Sequence, residues 1–450
     1  MIKVTKVLVA NRGEIAVRII RTLKEKNIKS VAIYSTADKD SLHVALADES
    51  YCIGPASSSQ SYLDMDKVLA AAKLSQADAI HPGYGFLAEN EEFVKRCEDE
   101  GFKFIGPSGR LISLMGNKAQ ARDTVGKNGL PVIPGSDGPV KNGAEGLEIA
   151  KQIGFPVVVK AVSGGGGKGM RLIQEETDFQ RLFSEARQEA RSSFNDSRVY
   201  IERYIPNARH IEVQILGDGK GHAVHLFERD CSIQKNNQKL IEEAPAMVLE
   251  DETRKYITTL TAEVMGKLQY ESAGTVEYLY VEEEKKFYFM EMNTRIQVEH
   301  TITEIITGVD IVEQQLEVAF NGRLTVKQEN IHMNGMAIEV RINAEDPNNH
   351  FMPSPGRIEN LHFSQGHNVR IDTHIYNGYT ISPHYDAMIA KIITHGDTRQ
   401  SAIAKMRRVL NETVIGPIPT NIDFQAFIMD HPNYQANDLN IHFLKTNNLI

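Results

Sequence analysis

From Phe287 to His300 the chain alternates: Glu291, Asn293, Arg295, Gln297 and Glu299 share one parity, while Tyr288, Met290, Met292, Ile296 and Val298 take the other. If extended, this segment puts two carboxylates, two amides and a guanidinium on one strand face. Such a face is a poor core and a suitable seat for a metal, a phosphate and a small anion. Just upstream, residues 274–281 read as a strand and 282–286 as a charged turn, so a hairpin is predicted with 287–292 as its return. Its midpoint near Glu284 sets Glu277 roughly opposite Glu291, where facing carboxylates lie about 5 Å apart at Cβ and repel unless neutralised. Mg²⁺ or Mn²⁺, with Asn293 as a third oxygen, would neutralise them. A solvated hairpin face with chance carboxylates is the plain alternative.

Elsewhere, apolar runs at 7–10, 31–34, 79–81 and 104–106 read as buried strands, with a helix over about 14–25. Strand–helix alternation at this spacing predicts a parallel sheet in residues 1–113. Its first turn, Asn11-Arg12-Gly13-Glu14, lacks a glycine-rich fingerprint, so a nicotinamide-binding domain is not expected. A helical pattern starts at Asn117, and a compact unit is predicted over about 139–204. Helices are predicted over 252–268 and 303–321, and a last segment from about 336 to the end. No internal repeat is visible.

The 450 residues suit two or three domains, and 41% hydrophobic with 24% charged content is ordinary for a globular chain. A net charge of −9 argues against nucleic acid or an anionic membrane as the main partner. Three scattered cysteines (Cys52, Cys97, Cys231) fit a reducing compartment rather than a disulfide scaffold. No signal-peptide pattern opens the chain and no apolar run approaches ~20 residues, so a cytoplasmic location is expected.

Between predicted strands at 157–162 and 170–173 lies Ser163-Gly164-Gly165-Gly166-Gly167-Lys168-Gly169. It is not a P-loop, since Gly169 stands where Ser or Thr is needed. Strand–loop–strand favours a flap whose glycines let backbone N–H groups approach phosphates; a flexible surface hairpin is the alternative. Lys160, just before the loop, tips the balance towards anion binding. Lys118 begins a helix and is unremarkable alone. His210, Glu212 and Gln214 share one face of a strand. Residues 228–239 form an unperiodic polar stretch, for which a solvated loop is as good a reading as a site. Residues 81–87, His-Pro-Gly-Tyr-Gly-Phe-Leu, form a strand-end turn of the kind that carries site residues in α/β sheets.

Taken together, the segment 81–90, Lys160 with its glycine flap, the run 291–300 and Glu339-Val340-Arg341-Ile342-Asn343-Ala344-Glu345-Asp346-Pro347 resemble biotin carboxylase, the ATP-grasp component of acetyl-CoA carboxylase and related biotin enzymes. The resemblance spans nearly the whole chain. It implies a mixed α/β and α+β fold: a Rossmann-like parallel domain (1–113), an ATP-grasp domain (114–323) with a mobile flap at about 135–204, and a C-terminal mixed α/β domain (324–450). By motif, Lys118, Lys160 and His210 would hold ATP phosphates under Gly166 and Gly167. Met170 and Ile205 would pack on adenine, with Glu202 and Arg203 supplying hinge contacts and Gln234 and Asn237 also on the nucleotide. Glu277, Glu291 and Asn293 would bind Mg²⁺ or Mn²⁺. Lys239, Arg295, Gln297 and Val298 would surround bicarbonate, Glu299 would be the general base, Arg341 would stabilise the biotin enolate, and Tyr84 would lie near biotin.

One departure is Asn237, where the family commonly has a ribose-contacting histidine; asparagine still hydrogen-bonds, so altered ATP affinity is expected. The 282–286 turn is also slightly longer than usual. With no Ala-Met-Lys-Met attachment motif, biotin is expected on a separate carrier protein, with the carboxyltransferase on other subunits. A homodimer is expected, with Arg18, Arg21 and residues around Phe363 as candidate contacts. The alternatives are the same subunit of another acyl-CoA or pyruvate carboxylase, another ATP-grasp ligase, and a non-catalytic ATP sensor.

Overall fold

The computed structural model describes residues 4–162 and 169–450. Contacts divide it into two units, one of residues 1–116, 209–277 and 292–450, the other of 117–208 and 278–291.

The first unit opens with a five-stranded parallel sheet in the order Glu49–Gly54, Lys29–Ser35, Lys6–Val9, Ala79–His81, Lys103–Phe104. Val7 and Val9 belong to one core cluster and Leu8 to another, so the central strand is buried on both faces and reads as a continuous apolar run. The strand Glu49–Gly54 went unpredicted because polar residues interrupt it at an edge. Further on, an eight-stranded sheet runs Lys286–Asn293, Glu271–Val281, Arg209–Asp218, Ala223–Lys235, Gln238–Ala244, Met336–Asn343, Met388–Gly396, Val369–Thr373; residues 278–291 of its first two strands belong to the second unit. In Met336–Asn343 the alternation is clean. Ile338, Val340 and Ile342 join the apolar cluster that includes Ala402, Ile403 and Met406 of the helix Arg399–Glu412, which leaves Glu339 and Arg341 for the opposite face.

Two expectations are corrected, and a stretch with two equal readings is resolved. The run beginning at Phe287 is a strand only to Asn293; a turn follows, and a helix begins at His300. The helix expected over 303–321 is two, His300–Thr307 and Ile311–Asn321. Gly308 ends the first at φ +70°, and the Asp310 side chain caps the second by accepting from Glu313 N at 2.7 Å. The stretch 228–239 is not a loop but the inner half of a hairpin. Its polar side chains are buried in pairs, such as Arg229 with Glu212 and Arg254 with Glu228, so polarity did not mean solvent. Asn236 (φ +50°) and Asn237 (φ +67°) form its two-residue turn, a left-handed pair that suits asparagine.

The second unit packs the helices Gly143–Ile153 and Phe179–Phe194 on a three-stranded antiparallel sheet ordered Met170–Ile173, Val157–Ala161, Val199–Arg203. Its core is Val157, Val159, Ile173, Phe179, Phe183, Val199 and Ile201, with Phe179 and Phe183 stacked at 5.5 Å. The strands flanking the glycine run pair as predicted, Lys160 opposite Met170. Gly166 and Gly167 lie outside the described residues.

Arg18 is buried in ion pairs with Glu304 (2.7 Å) and Asp310 (2.8 Å) of its own chain, whereas Arg21 is exposed. Among the described residues no helix is long and apolar enough to cross a membrane.

Candidate active site

In the first unit one ammonium gathers the predicted chemistry. Lys239, the second residue of the strand Gln238–Ala244, is set opposite Gln234 by the tight Asn236–Asn237 turn. Its Nζ reaches Glu212 Oε2 at 2.5 Å, Glu299 Oε1 at 2.6 Å, Glu277 Oε1 at 2.9 Å and the Gln297 side-chain Oε1 at 3.2 Å. Three carboxylates around one cation would be costly without further positive charge. Arg229, with no exposed side-chain surface, supplies it, donating to Glu212 at 2.5 Å and tying Gln214, Thr275 and Thr303 to the same spot. His210 adds more: Nε2 lies 3.2 Å from Glu277 Oε2, and Nδ1 meets the Gln234 amide at 2.9 Å. Burial disfavours a charged His210, yet Glu277 overrides it and lifts the imidazole to about 9.

Glu299 has two cationic neighbours. Besides Lys239 on Oε1, Arg341 Nη2 donates to Oε2 at 3.0 Å. Burial pushes this carboxyl up, but Lys239 and then Arg341 hold it below the ordinary carboxylate range. Arg341 also donates through Nε to Glu242 at 2.6 Å, and burial lifts Glu242 to about 7. Arg295 bonds Glu89 at 2.8 Å and the Asn293 oxygen at 2.9 Å, while Asn293 Nδ2 and Gln297 Nε2 donate to Glu277 at 2.9 and 3.1 Å. The alternating run therefore brings Asn293, Gln297 and Glu299 to one place although only its first part is a strand.

A cavity of about 500 Å³ opens beside this cluster, lined by Tyr84, Lys239, Val298 and Arg341 among others. The cavity fits a heterocycle beside a small anion. Glu277 fits a hard divalent cation, because Lys239 and His210 hold its carboxyl well below the ordinary range despite burial and keep it ionised; Asn293 meets it through Nδ2 while its Oδ1 accepts from Arg295, so the amide must turn to offer its oxygen to an ion. The acid–histidine cluster His210, Glu212, Glu277 has ligand atoms within 4.8 Å of one another.

The remaining predicted residues lie in the second unit. Lys118 pairs with Glu291 at 2.9 Å, and Lys160 with Glu202 at 2.7 Å. Arg203 is hydrogen-bonded to Glu284 and, at 3.1 Å, to the Tyr288 hydroxyl. Ile205 is buried and Met170 exposed.

Sequence reasoning left Glu212, Arg229, Glu242, Glu89, Glu14 and Lys391 unassigned. Glu212 was signalled by its alternation with His210 and Gln214, and Glu89 lies inside the 81–90 segment. The other four have no local signal, because tertiary pairing alone gives them a role.

Three family models match: "Biotin carboxylase, N-terminal domain" over residues 3–112, "Carbamoyl-phosphate synthase L chain, ATP binding domain" over 117–327 and "Biotin carboxylase C-terminal domain" over 339–446. The biotin carboxylase of Haemophilus influenzae is 52% identical over 441 residues, 98% of each chain. Among solved structures, a Campylobacter jejuni biotin carboxylase–nucleotide complex matches at TM-score 0.92 and 45% identity, over 99% of both chains. The biotin carboxylase domain dimer of Hydrogenobacter thermophilus 2-oxoglutarate carboxylase, in complex with MgADP, ADP and bicarbonate, matches at TM-score 0.90 and 44% identity, over 99% of this chain and 98% of that one.

Proposed function

The chain belongs to the biotin carboxylase family, and from that premise we propose how its residues divide the work of ATP-dependent carboxylation of biotin by bicarbonate. The enzyme is an ATP-grasp ligase that uses ATP and Mg²⁺ or Mn²⁺. The first half-reaction of acetyl-CoA carboxylase, in fatty acid synthesis, is the setting proposed. The match to a 2-oxoglutarate carboxylase domain supports a second acceptor class, chosen by the partner transferase.

The single observation that carries the division of labour is Glu299 held between Lys239 and Arg341, two cations that line the cavity. Bicarbonate is an anion and a poor electrophile. Lys239, Arg295, Gln297 and the Val298 backbone would seat it, and Glu299, ionised at neutral pH, would take its proton as it attacks the γ-phosphoryl group. Lys118, Lys160 and His210 would bind the phosphates, with Gly166 and Gly167 above them and Met170, Ile205, Glu202, Arg203, Gln234 and Asn237 around the nucleoside. A divalent ion held by Glu277, Glu291 and Asn293 would offset phosphoryl charge. The phosphoryl transfer expels ADP and leaves carboxyphosphate, which would break down to CO₂ and phosphate. Phosphate would take the biotin N1′ proton, Arg341 would stabilise the enolate-like oxygen with Arg295 assisting and Tyr84 beside the ring, and N1′ would then attack CO₂ to give carboxybiotin.

Biotin would arrive on a separate carrier protein and leave to carboxyltransferase subunits. A homodimer in the cytoplasm, with three functional segments at 1–113, 114–323 and 324–450, completes the proposal. The test is turnover: ATP hydrolysis must depend on bicarbonate and accelerate with free biotin. Hydrolysis indifferent to both would overturn it.

A further inference from the structure

Behind the cavity stands a lysine that no part of the proposed chemistry uses. Lys391, in the strand Met388–Gly396, is completely buried. It lies directly across the sheet from Arg341 on one side and Asp372 on the other. Like charges facing each other across a ladder repel, so a buried lysine opposite a half-buried arginine needs a strong local reason. Four carboxyls stand near them, Glu14, Glu339 and Asp372 around Lys391 and Glu242 on Arg341. Burial pushes Glu14, Glu339 and Glu242 up, while at Asp372 Arg370 overcomes burial, holds the carboxyl well below the ordinary range and makes it the firmest counter-charge. The direct contacts of Lys391 say more. Its Nζ donates to the Val298 carbonyl at 2.6 Å and lies 3.4 Å from Glu14 Oε1, the oxygen that accepts the Tyr84 hydroxyl proton. One ammonium thus grips two walls of the cavity, the backbone just before Glu299 and, through Glu14, the tyrosine.

We propose that Lys391 is a positioning residue for the reaction: its bond to the Val298 carbonyl fixes the peptide that sets the bicarbonate seat and the approach of Glu299, and its contact with Glu14 fixes the Tyr84 wall. The chain segment 294–299 has no strand or helix to hold it. A fully desolvated charge-assisted hydrogen bond is a strong way to immobilise such a peptide. The inference rests on the cavity being the bicarbonate and biotin site, a reading tested separately by the dependence of the parent enzyme on both.

Lys391→Met removes the grip at similar volume, and Lys391→Gln keeps an N–H donor for the Val298 carbonyl without the charge. For folded Lys391→Met we expect the KM for bicarbonate to rise about tenfold or more and kcat to fall, the scale of one lost charge-assisted hydrogen bond. The KM for ATP should stay within about twofold, and Lys391→Gln should recover part of the bicarbonate loss. Glu14→Gln leaves the Val298 bond in place and should raise the KM for biotin more than the KM for bicarbonate. If Lys391→Met does not fold, Lys391→Gln against the parent carries the comparison, with the same ATP and bicarbonate readouts. Bicarbonate KM and kcat within twofold of the parent would overturn the proposal. So would an equal loss for ATP, bicarbonate and biotin, which is the mark of a merely structural lysine.

Discussion

Replacing Glu299 by glutamine tests the assignment of the base with almost no change in shape. The carboxylate accepts from Lys239 at 2.6 Å through one oxygen and from Arg341 at 3.0 Å through the other. Glutamine can satisfy only one of these cations; its NH₂ group must face the second. Loss of general-base catalysis removes about 10²–10⁴ in rate, which at ~1.4 kcal/mol per decade is roughly 3–5 kcal/mol of transition-state stabilisation. Folding should lose less, about 1–3 kcal/mol, because Lys239 keeps Glu212 and Glu277 and Arg341 keeps Glu242. Nucleotide affinity should change by no more than about threefold, since Lys118 and Lys160 have other ionic partners, Glu291 and Glu202. Steady-state bicarbonate-dependent ATP hydrolysis gives the first number, calorimetric titration with ATP the second and thermal unfolding the third. Activity within tenfold of the parent, or ATP affinity falling in step with activity, would refute the role given to Glu299.

Arg229→Met should cost about 3–5 kcal/mol of folding stability, because it strips Glu212 of a buried cation; a midpoint in denaturant unchanged from the parent would contradict the charge accounting. Chelating divalent ions should abolish turnover but leave the unfolding temperature nearly unchanged, since Lys239 and His210 already balance Glu277; a large drop in unfolding temperature would show that the acids depend on the metal for stability. His43, buried between Ser41 and the Ile33 carbonyl, is pushed by burial down to about 4 from an ordinary 6.5. The unfolded chain therefore binds more protons between these values, so the stability His43 confers is complete above pH 6.5 and fades as pH falls towards 4, at up to ~1.4 kcal/mol per pH unit. His43→Asn should consequently lose most stability relative to the parent at pH 7.5 and progressively less by pH 5; parallel curves would sink this reading.

Four of the five strands of the parallel sheet were legible because they are mainly apolar, as burial on two faces requires; the edge strand Glu49–Gly54 was not, because polar residues interrupt it. The hairpin that bears Glu277 and Glu291 was legible for the opposite reason, a strict alternation around a charged turn. Where the reading failed, polarity misled it. Residues 228–235 looked like a solvated loop, yet Arg229 and Glu228 are fully buried because Glu212 and Arg254 meet them from distant parts of the chain. No window of sequence carries that information. The break at Gly308 was written in the chain, a glycine two residues before an aspartate cap, but the apolar periodicity on either side masked it.

The same electrostatics bear on how a weak base can work here. Lys239 and Arg341 hold the Glu299 carboxyl low, so it is ionised and ready, but low proton affinity is a poor recommendation for removing a proton. The difficulty eases when the cations are considered as shared. A bicarbonate seated against Lys239 has its own proton affinity lowered by that charge, and every hydrogen bond that Lys239 gives to the anion is one fewer given to Glu299. Lys239 has three N–H groups and already faces four acceptors, Glu212, Glu277, Glu299 and Gln297. A fifth acceptor must displace one of them. Glu212 is pinned by Arg229 and His210, Glu277 by His210, Asn293 and Gln297, and Glu299 by Arg341, while the neutral Gln297 oxygen at 3.2 Å is the weakest of the four acceptors. If the proposed bicarbonate takes the bond given to Glu299 and not only the one given to Gln297, the proton affinity of Glu299 rises while that of bicarbonate falls, and the two converge.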